Sequence, residues 1–311
     1  MSNLANTLQE YLTLRRALGF KLRDEGHILA DFVSFLEQQG ISTITTQLAL
    51  RWAVLPQNVE PAHWARRLSM VRLFAQYRSA SDLQTEIPPK GLLPHRYRRK
   101  PPYIYSDKEI RQLIKAAKRL PSTIGLRPET YSTLFGLLAI TGMRIFECLA
   151  LDNEDVDMSQ GVLTIRQTKF RKSRLVLIHT STQRKLRQYV RRRDRVHPKP
   201  ITQSFFVSDH GARLTRSTVR WTFIRLSQQI GLRGPSDRHG PRLHDFRHAF
   251  AVRTLLAWYR AGVDVERHMP ELATYLGHAH VTDTYWYLTA VPELLHLAAA
   301  RLEGKKGGRL S

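Results

Sequence analysis

The sequence predicts a mainly α-helical protein of two domains, the second of which also carries a small antiparallel β-sheet. Apolar residues recur at three- and four-residue spacing through most of the chain, as on one face of a helix. Two short runs, 162–166 and 174–179, instead favour β-strands joined by a turn. A proline-rich segment, 88–102, separates two groups of helical patterns. With 311 residues, the chain is long enough for two domains with separate cores.

The first 87 residues are expected to form four short helices. Gly19 and Gly40 end the first two apolar stripes, because glycine commonly follows the last turn of a helix. Thr45 or Thr46 is expected to cap the third helix, since a threonine hydroxyl accepts a hydrogen bond from the first turn. Pro61 marks the start of the fourth helix. This region is therefore predicted to be a helical bundle.

The segment 88–102 is expected to be an extended linker. Prolines at both of its ends disfavour helix, and four of its five cations are clustered at 96–100. These four cations are Arg96, Arg98, Arg99 and Lys100. Either the segment is a solvated hinge or it lies along a DNA backbone, and its charge density makes these four residues candidate DNA contacts.

The second domain, 103–311, is predicted to begin its first helix after Ser106, which stands three residues before Glu109 as in a capping box. The remaining helical patterns are 131–140, 183–195, 219–230, 243–261, 272–276 and 292–302. Trp221 and Phe223 are expected to be buried anchors of the helix that contains them. The β-prone runs lie between the first two of these helical patterns, so the sheet is small and the domain is mostly helical.

The charge balance predicts a polyanionic partner. The chain has 49 Lys and Arg against 26 Asp and Glu, a net charge of +23. Binding of clustered Lys and Arg side chains to phosphates releases counterions from the nucleic acid, and this release favours binding. No apolar run approaches the roughly 20 residues of a membrane span, and residues 1–10 lack the apolar core of a secretion signal. DNA in the cytoplasm is therefore favoured over a membrane. The single cysteine, Cys148, excludes an internal disulfide and is expected to be buried.

Five residues predict phosphodiester chemistry. Arg144 lies near the middle of the chain, and His244, Arg247, His278 and Tyr287 follow at close spacing in its last quarter. Arginine presents a planar fork of donors that fits two phosphate oxygens and stays charged. A phenol has a pKa of roughly 10, so it needs such a cationic setting to act as a nucleophile near neutral pH.

The motifs that contain these residues resemble those of the tyrosine recombinases, the phage-integrase family. They are Thr-Gly-Met-Arg at 141–144, His-Asp-Phe-Arg-His at 244–248, Leu-Gly-His at 276–278, and a tyrosine nine residues later. The resemblance covers about 103–302. It implies that 1–87 is a SAM-like core-binding domain that grips DNA and that 103–311 is the catalytic domain.

The resemblance also implies roles for individual residues. Arg144 and Arg247 would grip the scissile phosphate, with His244 and His278 as further phosphate contacts. Tyr287 would be the nucleophile. Tyr285 is a second phenol in the same stretch, but the two point about 200° apart on a helix, and spacing favours Tyr287.

The resemblance also implies two supporting residues and the general acid. Glu147 would orient the first arginine, whereas His248 would be either a supporting donor or only a buried imidazole. Lys169, in the turn between the predicted strands, would protonate the leaving 5′ oxygen, with Lys172 as the alternative. Arg171 and Lys172 are further candidate DNA contacts.

The function implied by the resemblance is site-specific recombination of double-stranded DNA through a 3′-phosphotyrosyl intermediate, for a mobile element. It implies no cofactor, no metal and no ATP. It also implies a homotetramer on paired DNA sites, with or without partner recombinases, and a nucleoid-associated bacterial protein. A helix at 292–302 would dock on a neighbouring subunit or pack within its own chain. The alternatives are a type IB topoisomerase-like enzyme and a DNA-binding regulator that does not cut.

Overall fold

The computed structural model describes residues 3–20, 22–94, 101–166, 173–237 and 240–307. The chain divides into two compact units, residues 1–100 and 101–311. Both are dominated by helices, and the second also contains a three-stranded antiparallel sheet. The predicted fold class is confirmed. In the parts of the chain that are described, no helix combines the length and the apolar character that crossing a membrane requires.

The N-terminal unit contains four helices around one core. They are α1 (Asn3–Ala17), α2 (Arg23–Glu37), α3 (Thr46–Ala53) and α4 (Pro61–Arg78). Thr45 is the cap of α3, because its hydroxyl accepts a hydrogen bond from the Leu48 amide at 3.3 Å. Trp52 packs on Phe32 in the core, and both are fully buried. Arg72 donates to the carbonyls of Pro88 and Pro89, which ties the start of the proline-rich segment to α4.

The second unit contains the remaining nine α-helices of the described chain and one short 3-10 helix, Asn153–Asp155. The α-helices are α5 (Asp107–Ala117), α6 (Arg127–Thr141), α7 (Ile145–Ala150), α8 (Thr180–Val196), α9 (Arg216–Gln229), α10 (Asp245–Arg260), α11 (Val265–Leu276), α12 (Thr282–Ala290) and α13 (Pro292–Gly307). The predicted capping box is present at the start of α5, where Ser106 and Glu109 exchange hydrogen bonds.

The sheet consists of β1 (Val156–Asp157), β2 (Val162–Ile165) and β3 (Arg174–Leu177), in that order. Leu163 of β2 pairs with Val176 of β3, and both side chains are fully buried. The turn between β2 and β3 lies outside the described residues, and so do the predicted site residues Lys169, Arg171 and Lys172. The same holds for Arg96, Arg98, Arg99 and Lys100 of the proline-rich segment.

A stack of aromatic side chains fixes the first turn of α10, which carries several predicted site residues. Phe246 lies between Tyr105 and Phe135, with ring centroids 4.8 Å and 6.2 Å away. Phe223 of α9 meets Phe246 edge to face, so three elements hold this turn. The prediction that Trp221 is also an anchor is wrong, because its side chain is 64% exposed. Residues two apart on a helix point about 200° apart, so Phe223 and Trp221 cannot both face the core.

Two further predictions concern buried groups. Cys148 is fully buried, and burial raises the pKa of its thiol, which disfavours the reactive thiolate.

Helix α13 starts against α10 and α12 of its own chain, where Leu294 is fully buried and Glu293 pairs with Arg260 at 2.7 Å. In this single chain, therefore, the first turn of the C-terminal helix packs in cis.

Candidate active site

Two helices that end in left-handed glycines frame the site. Gly142 follows α6 with φ of 60°, and Gly277 follows α11 with φ of 69°. A Cβ atom on Gly142 would lie 2.6 Å from the Phe250 ring, and one on Gly277 would lie 2.8 Å from Nη1 of Arg174. Both the backbone conformation and the close packing therefore require glycine at these positions.

Arg144 and Arg247 converge on the last residues of α11. Arg144 Nη2 donates to the carbonyl of Gly277 at 2.9 Å, and Arg247 Nη2 donates to the carbonyl of Leu276 at 2.7 Å. Arg247 Nη1 also donates to the carbonyl of Gly142 at 3.0 Å. Because carbonyls at the C-terminal end of a helix lack partners within it, they are strong acceptors for these guanidinium groups. The two predicted phosphate ligands are thus brought to adjacent peptide groups.

Glu147 orients the first arginine and also starts a helix. Its Oε2 accepts a hydrogen bond from the Arg144 amide at 2.9 Å, which caps α7, and its Oε1 accepts one from the Arg144 side chain at 2.8 Å. Arg174 of β3 contacts the same carboxylate at 2.7 Å and 3.0 Å. Burial would raise the pKa of Glu147, but the hydrogen bonds and charge of Arg174 and the hydrogen bonds from Arg144 outweigh burial and lower it.

Arg174 is a site residue that the sequence did not reveal. Besides its two contacts with Glu147, its Nε donates to the carbonyl of Tyr275 at 2.8 Å. Its hydrogen bonds therefore connect three elements, β3, α7 and α11. An arginine at the start of an otherwise apolar strand was the available signal, since a cation there needs a buried partner.

Arg247 is a nearly fully buried cation, with 2% of its surface exposed. Burial and then the nearby Arg144 lower the pKa of Arg247 to about 10, while Tyr287 and Glu147 act in the opposite direction. The guanidinium is still charged at neutral pH. Because Arg144 and Arg247 repel each other, an anion between them would relieve that repulsion, which makes the site suited to a phosphate.

His278 is held by a buried hydroxyl. Its Nδ1 lies 2.6 Å from Oγ1 of Thr284, a fully buried residue of α12. His278 directly follows Gly277, so its position depends on the same helix end that holds the two arginines. The contact with Thr284 fixes the ring orientation and links α11 to α12.

Tyr287 is buried and Tyr285 is not. Tyr287 exposes 1% of its surface and Tyr285 exposes 39%, so the two phenols point to different sides of α12 as their spacing predicts. The hydroxyl of Tyr287 lies 3.0 Å from Nδ1 of His248. His244, at the N-cap of α10, meets the His248 ring edge to face at 4.7 Å. The structure thus brings Arg144, Glu147, His244, Arg247, His248, His278 and Tyr287 to one region of the second unit.

The arrangement combines an anion-binding pair of guanidinium groups with a phenol and several imidazoles. Such a set can bind a phosphodiester and attack its phosphorus, which is the chemistry proposed below. Within the described ranges, no three His, Cys, Asp or Glu side chains lie where they could jointly hold a metal ion.

Comparison with known proteins gives consistent results. The profile of the Phage integrase family matches residues 104–293. The chain is 51% identical to the putative integrase/recombinase y4rB of Sinorhizobium fredii, over 97% of this chain and 98% of that protein. It is 27% identical to tyrosine recombinase XerC of Chlamydia caviae, over 89% and 91% of the two chains. The fold resembles that of the Tn1549 transposon integrase, solved with transposon right-end DNA, with a TM-score of 0.65, 15% identity, and coverage of 96% and 98%.

Proposed function

The chain belongs to the phage integrase family of tyrosine recombinases, and from this membership we propose that it cleaves and rejoins DNA strands at specific sites through Tyr287. The family resemblance inferred from the motifs is confirmed, and with it the interpretation of the chain as a DNA-recombining enzyme. The observation that carries the assignment of residues is the convergence of Arg144 and Arg247 on adjacent carbonyls of the segment that ends in His278.

The two arginines would hold the non-bridging oxygens of the scissile phosphate. Attack on phosphorus places extra negative charge on those oxygens, and cations already in position stabilise that charge without reorganisation. The bonds from each guanidinium to a fixed carbonyl keep its plane in one orientation. His244 and His278 would add donors to the same oxygens. Loss of one such donor typically lowers the rate by a factor on the order of 10² to 10³.

Tyr287 would attack the phosphorus and form a 3′-phosphotyrosyl bond, and the P–O5′ bond would break. Lys169, or Lys172 in its place, would donate a proton to the leaving 5′ oxygen, a contribution of roughly 10² to 10⁴ in rate. Because one phosphoester replaces another, the bond energy is retained. Attack by a 5′ hydroxyl of another strand then reverses the steps and completes the exchange. Neither ATP nor a cofactor has a part in this scheme.

Double-stranded DNA is the proposed substrate, and a mobile element is the proposed context. The net charge of +23 and the DNA in the Tn1549 integrase structure support the first proposal. The relatives described as integrases support the second. A homotetramer on two paired sites, with or without partner recombinases, would supply the two strands that exchange. A protein that acts on chromosomal DNA is expected at the nucleoid.

The decisive experiment is covalent trapping. The wild-type protein and its Tyr287→Phe and Tyr285→Phe variants are incubated with nicked duplexes made from DNA that flanks its gene. A nick just beyond the cleavage position lets the short fragment that carries the free 5′ hydroxyl diffuse away, so the phosphotyrosyl adduct accumulates and survives SDS. We expect an adduct from the wild type and from Tyr285→Phe, and none from Tyr287→Phe.

The two alternatives make different predictions in the same experiment. A DNA-binding regulator would shift the duplex in a gel but give no adduct on any bound site. A type IB topoisomerase-like enzyme would also form the adduct, but it would act as a monomer on one duplex, so it would relax supercoils and yield no recombinant product from two intact duplexes. Recombinant product from two distinguishable duplexes would support the proposal.

A further inference from the structure

Tyr287 meets an imidazole that the phosphate-binding scheme does not use. His248 is buried, with 5% of its surface exposed, and its Nδ1 lies 3.0 Å from the Tyr287 hydroxyl. We propose that His248 accepts the proton of Tyr287 as the phenol attacks phosphorus, so that it acts as the general base of the cleavage step. This assignment rests on the proposed function and names the residue that activates its nucleophile.

The surroundings of His248 favour the tautomer that this role needs. Nε2 of His248 lies 3.9 Å from Oδ1 of Asp245, one turn earlier on α10. A carboxylate near Nε2 favours a proton on that nitrogen, which leaves a lone pair on Nδ1 for the phenol. Asp245 is 1% exposed and accepts hydrogen bonds from the amide and the side chain of Arg242, which hold it in place.

Two helices present charged or titratable groups to this imidazole. From its own helix these are Asp245 and His244, whose ring meets that of His248 at 4.7 Å. From α12 it is Tyr287, beside the apolar ring of Trp286 at 5.7 Å. Because the phenol, the imidazole and the carboxylate are all buried, each electrostatic contact among them is stronger than it would be in water.

The proton and electron balance of the step is complete. The O–H bond of Tyr287 breaks, its proton moves to Nδ1 of His248, and the oxygen electron pair forms the new bond to phosphorus. The P–O5′ bond breaks, and the leaving oxygen takes a proton from the general acid. The imidazolium then faces Asp245, whose negative charge stabilises it. In the rejoining step, His248 returns the proton to Tyr287 while the attacking 5′ hydroxyl gives up its own.

The test is the pH profile of single-turnover adduct formation in the wild type and in His248→Asn. An Asn side chain can place its amide nitrogen close to the position that Nδ1 of His248 occupies in the wild type. The variant therefore keeps a polar contact with the Tyr287 hydroxyl but cannot accept its proton. We expect His248→Asn to lower the rate on the order of 10²-fold near neutral pH. The wild-type rate should level off above the pH at which the imidazole loses its proton. The rate of His248→Asn should keep rising with the fraction of Tyr287 that is phenolate. In the range where the wild-type rate is level, the ratio of the wild-type rate to the variant rate should therefore fall about tenfold per pH unit.

A merely structural role for His248 would give a deficit that does not change with pH. A second measurement replaces Tyr287 with a fluorinated tyrosine, whose phenol is more acidic and needs less help from a base. The fluorinated tyrosine should raise the rate of His248→Asn at least tenfold and should change the wild-type rate little. As a control, His268→Asn removes the 2.9 Å contact of a partly exposed histidine with Glu271, and it should leave the rate within twofold.

The outcomes separate this assignment from the proposed function. An adduct from the wild type, with a pH-independent deficit or no deficit in His248→Asn and no rescue by the fluorinated phenol, would overturn the role of His248 alone. The absence of any wild-type adduct on DNA that the protein binds would overturn the proposed function and this assignment together. Gel shifts with the same duplex show whether each variant still folds and binds.

Discussion

Arg144 and Arg247 donate hydrogen bonds to the carbonyl oxygens of consecutive residues, Gly277 and Leu276, although 103 positions separate the two arginines in the sequence. One end of α11 therefore sets the distance between both guanidinium groups. Any change that moves this helix end displaces both arginines together, and it also displaces His278, which follows directly.

Arg174 is expected to be a stability determinant of the second unit. Arg174→Ala removes two contacts with Glu147 and one with the Tyr275 carbonyl, so it should lower the free energy of unfolding by about 3 kcal/mol in urea titrations. Arg260→Ala is the matched control, because Arg260 pairs with Glu293 at the same 2.7 Å but in solvent, and it should cost less than about 1 kcal/mol. Equal losses would contradict the prediction.

Gly142→Ala should disturb both stability and catalysis. The new methyl group would meet the Phe250 ring at 2.6 Å in a left-handed backbone, and the Gly142 carbonyl holds Arg247. We expect a loss of about 1 kcal/mol from the backbone and about 1 to 3 kcal/mol from the overlap, with slower adduct formation. Gly231→Ala shares the backbone conformation, with φ of 76°, but meets no atom within 4 Å, so only the first cost should appear.

Glu147→Gln should change the acid sensitivity of folding. Because the pKa of Glu147 is lowered in the folded state, its carboxylate contributes stability that is fully present above the ordinary glutamate value of roughly 4.3. That contribution is lost as the pH falls through the folded-state pKa. The variant should therefore be about 2 kcal/mol less stable at neutral pH, and the difference should shrink in acid. A difference that stays constant on acidification, in urea titrations at several pH values, would contradict this.

Thr284→Val should slow cleavage without weakening DNA binding. Valine keeps the shape of threonine but has no hydroxyl, so the 2.6 Å contact with Nδ1 of His278 is lost. Loss of one hydrogen bond of about 1 kcal/mol corresponds to a rate lower by roughly tenfold or less. Thr282→Val, at an exposed position on the same helix, should leave the single-turnover rate unchanged. Weaker DNA binding by Thr284→Val in gel shifts would indicate misfolding instead.

The proline-rich segment is expected to contact DNA phosphates. Each Lys or Arg that neutralises a phosphate contributes about 0.9 to the slope of log affinity against log salt concentration. Replacing all four predicted cations with alanine should therefore flatten the slope by up to about 3.6. These are Arg96, Arg98, Arg99 and Lys100. An equal charge change on the exposed face of α5 should flatten it less, and equal effects would point to net charge rather than contact. The control positions are Lys108, Arg111 and Lys115 on α5 and Lys118 at its C-cap.

The sequence was sufficient to locate most of the helices and the residues of the motifs, because both depend on local patterns, although the predicted 272–276 covers only the last part of α11 (Val265–Leu276). It could not predict Arg174, which was one of 49 basic residues until the sheet placed β3 beside α7 and α11. The same is true of Thr284, whose partner His278 lies on a different segment. For Trp221, the chain contained two aromatic candidates two positions apart, and only packing decided that Phe223 faces the core. The spacing rule that separated Tyr285 from Tyr287 applied there as well.

Burial of Cys148 also makes the chain convenient for spectroscopy. Its only thiol is buried, and burial disfavours the thiolate form, so this thiol should not react with a maleimide dye under native conditions. A cysteine introduced at an exposed position in each unit could then carry donor and acceptor fluorophores without first removing a native residue. Single-molecule energy transfer between them would follow the separation of the two units as the protein finds, holds and releases its DNA.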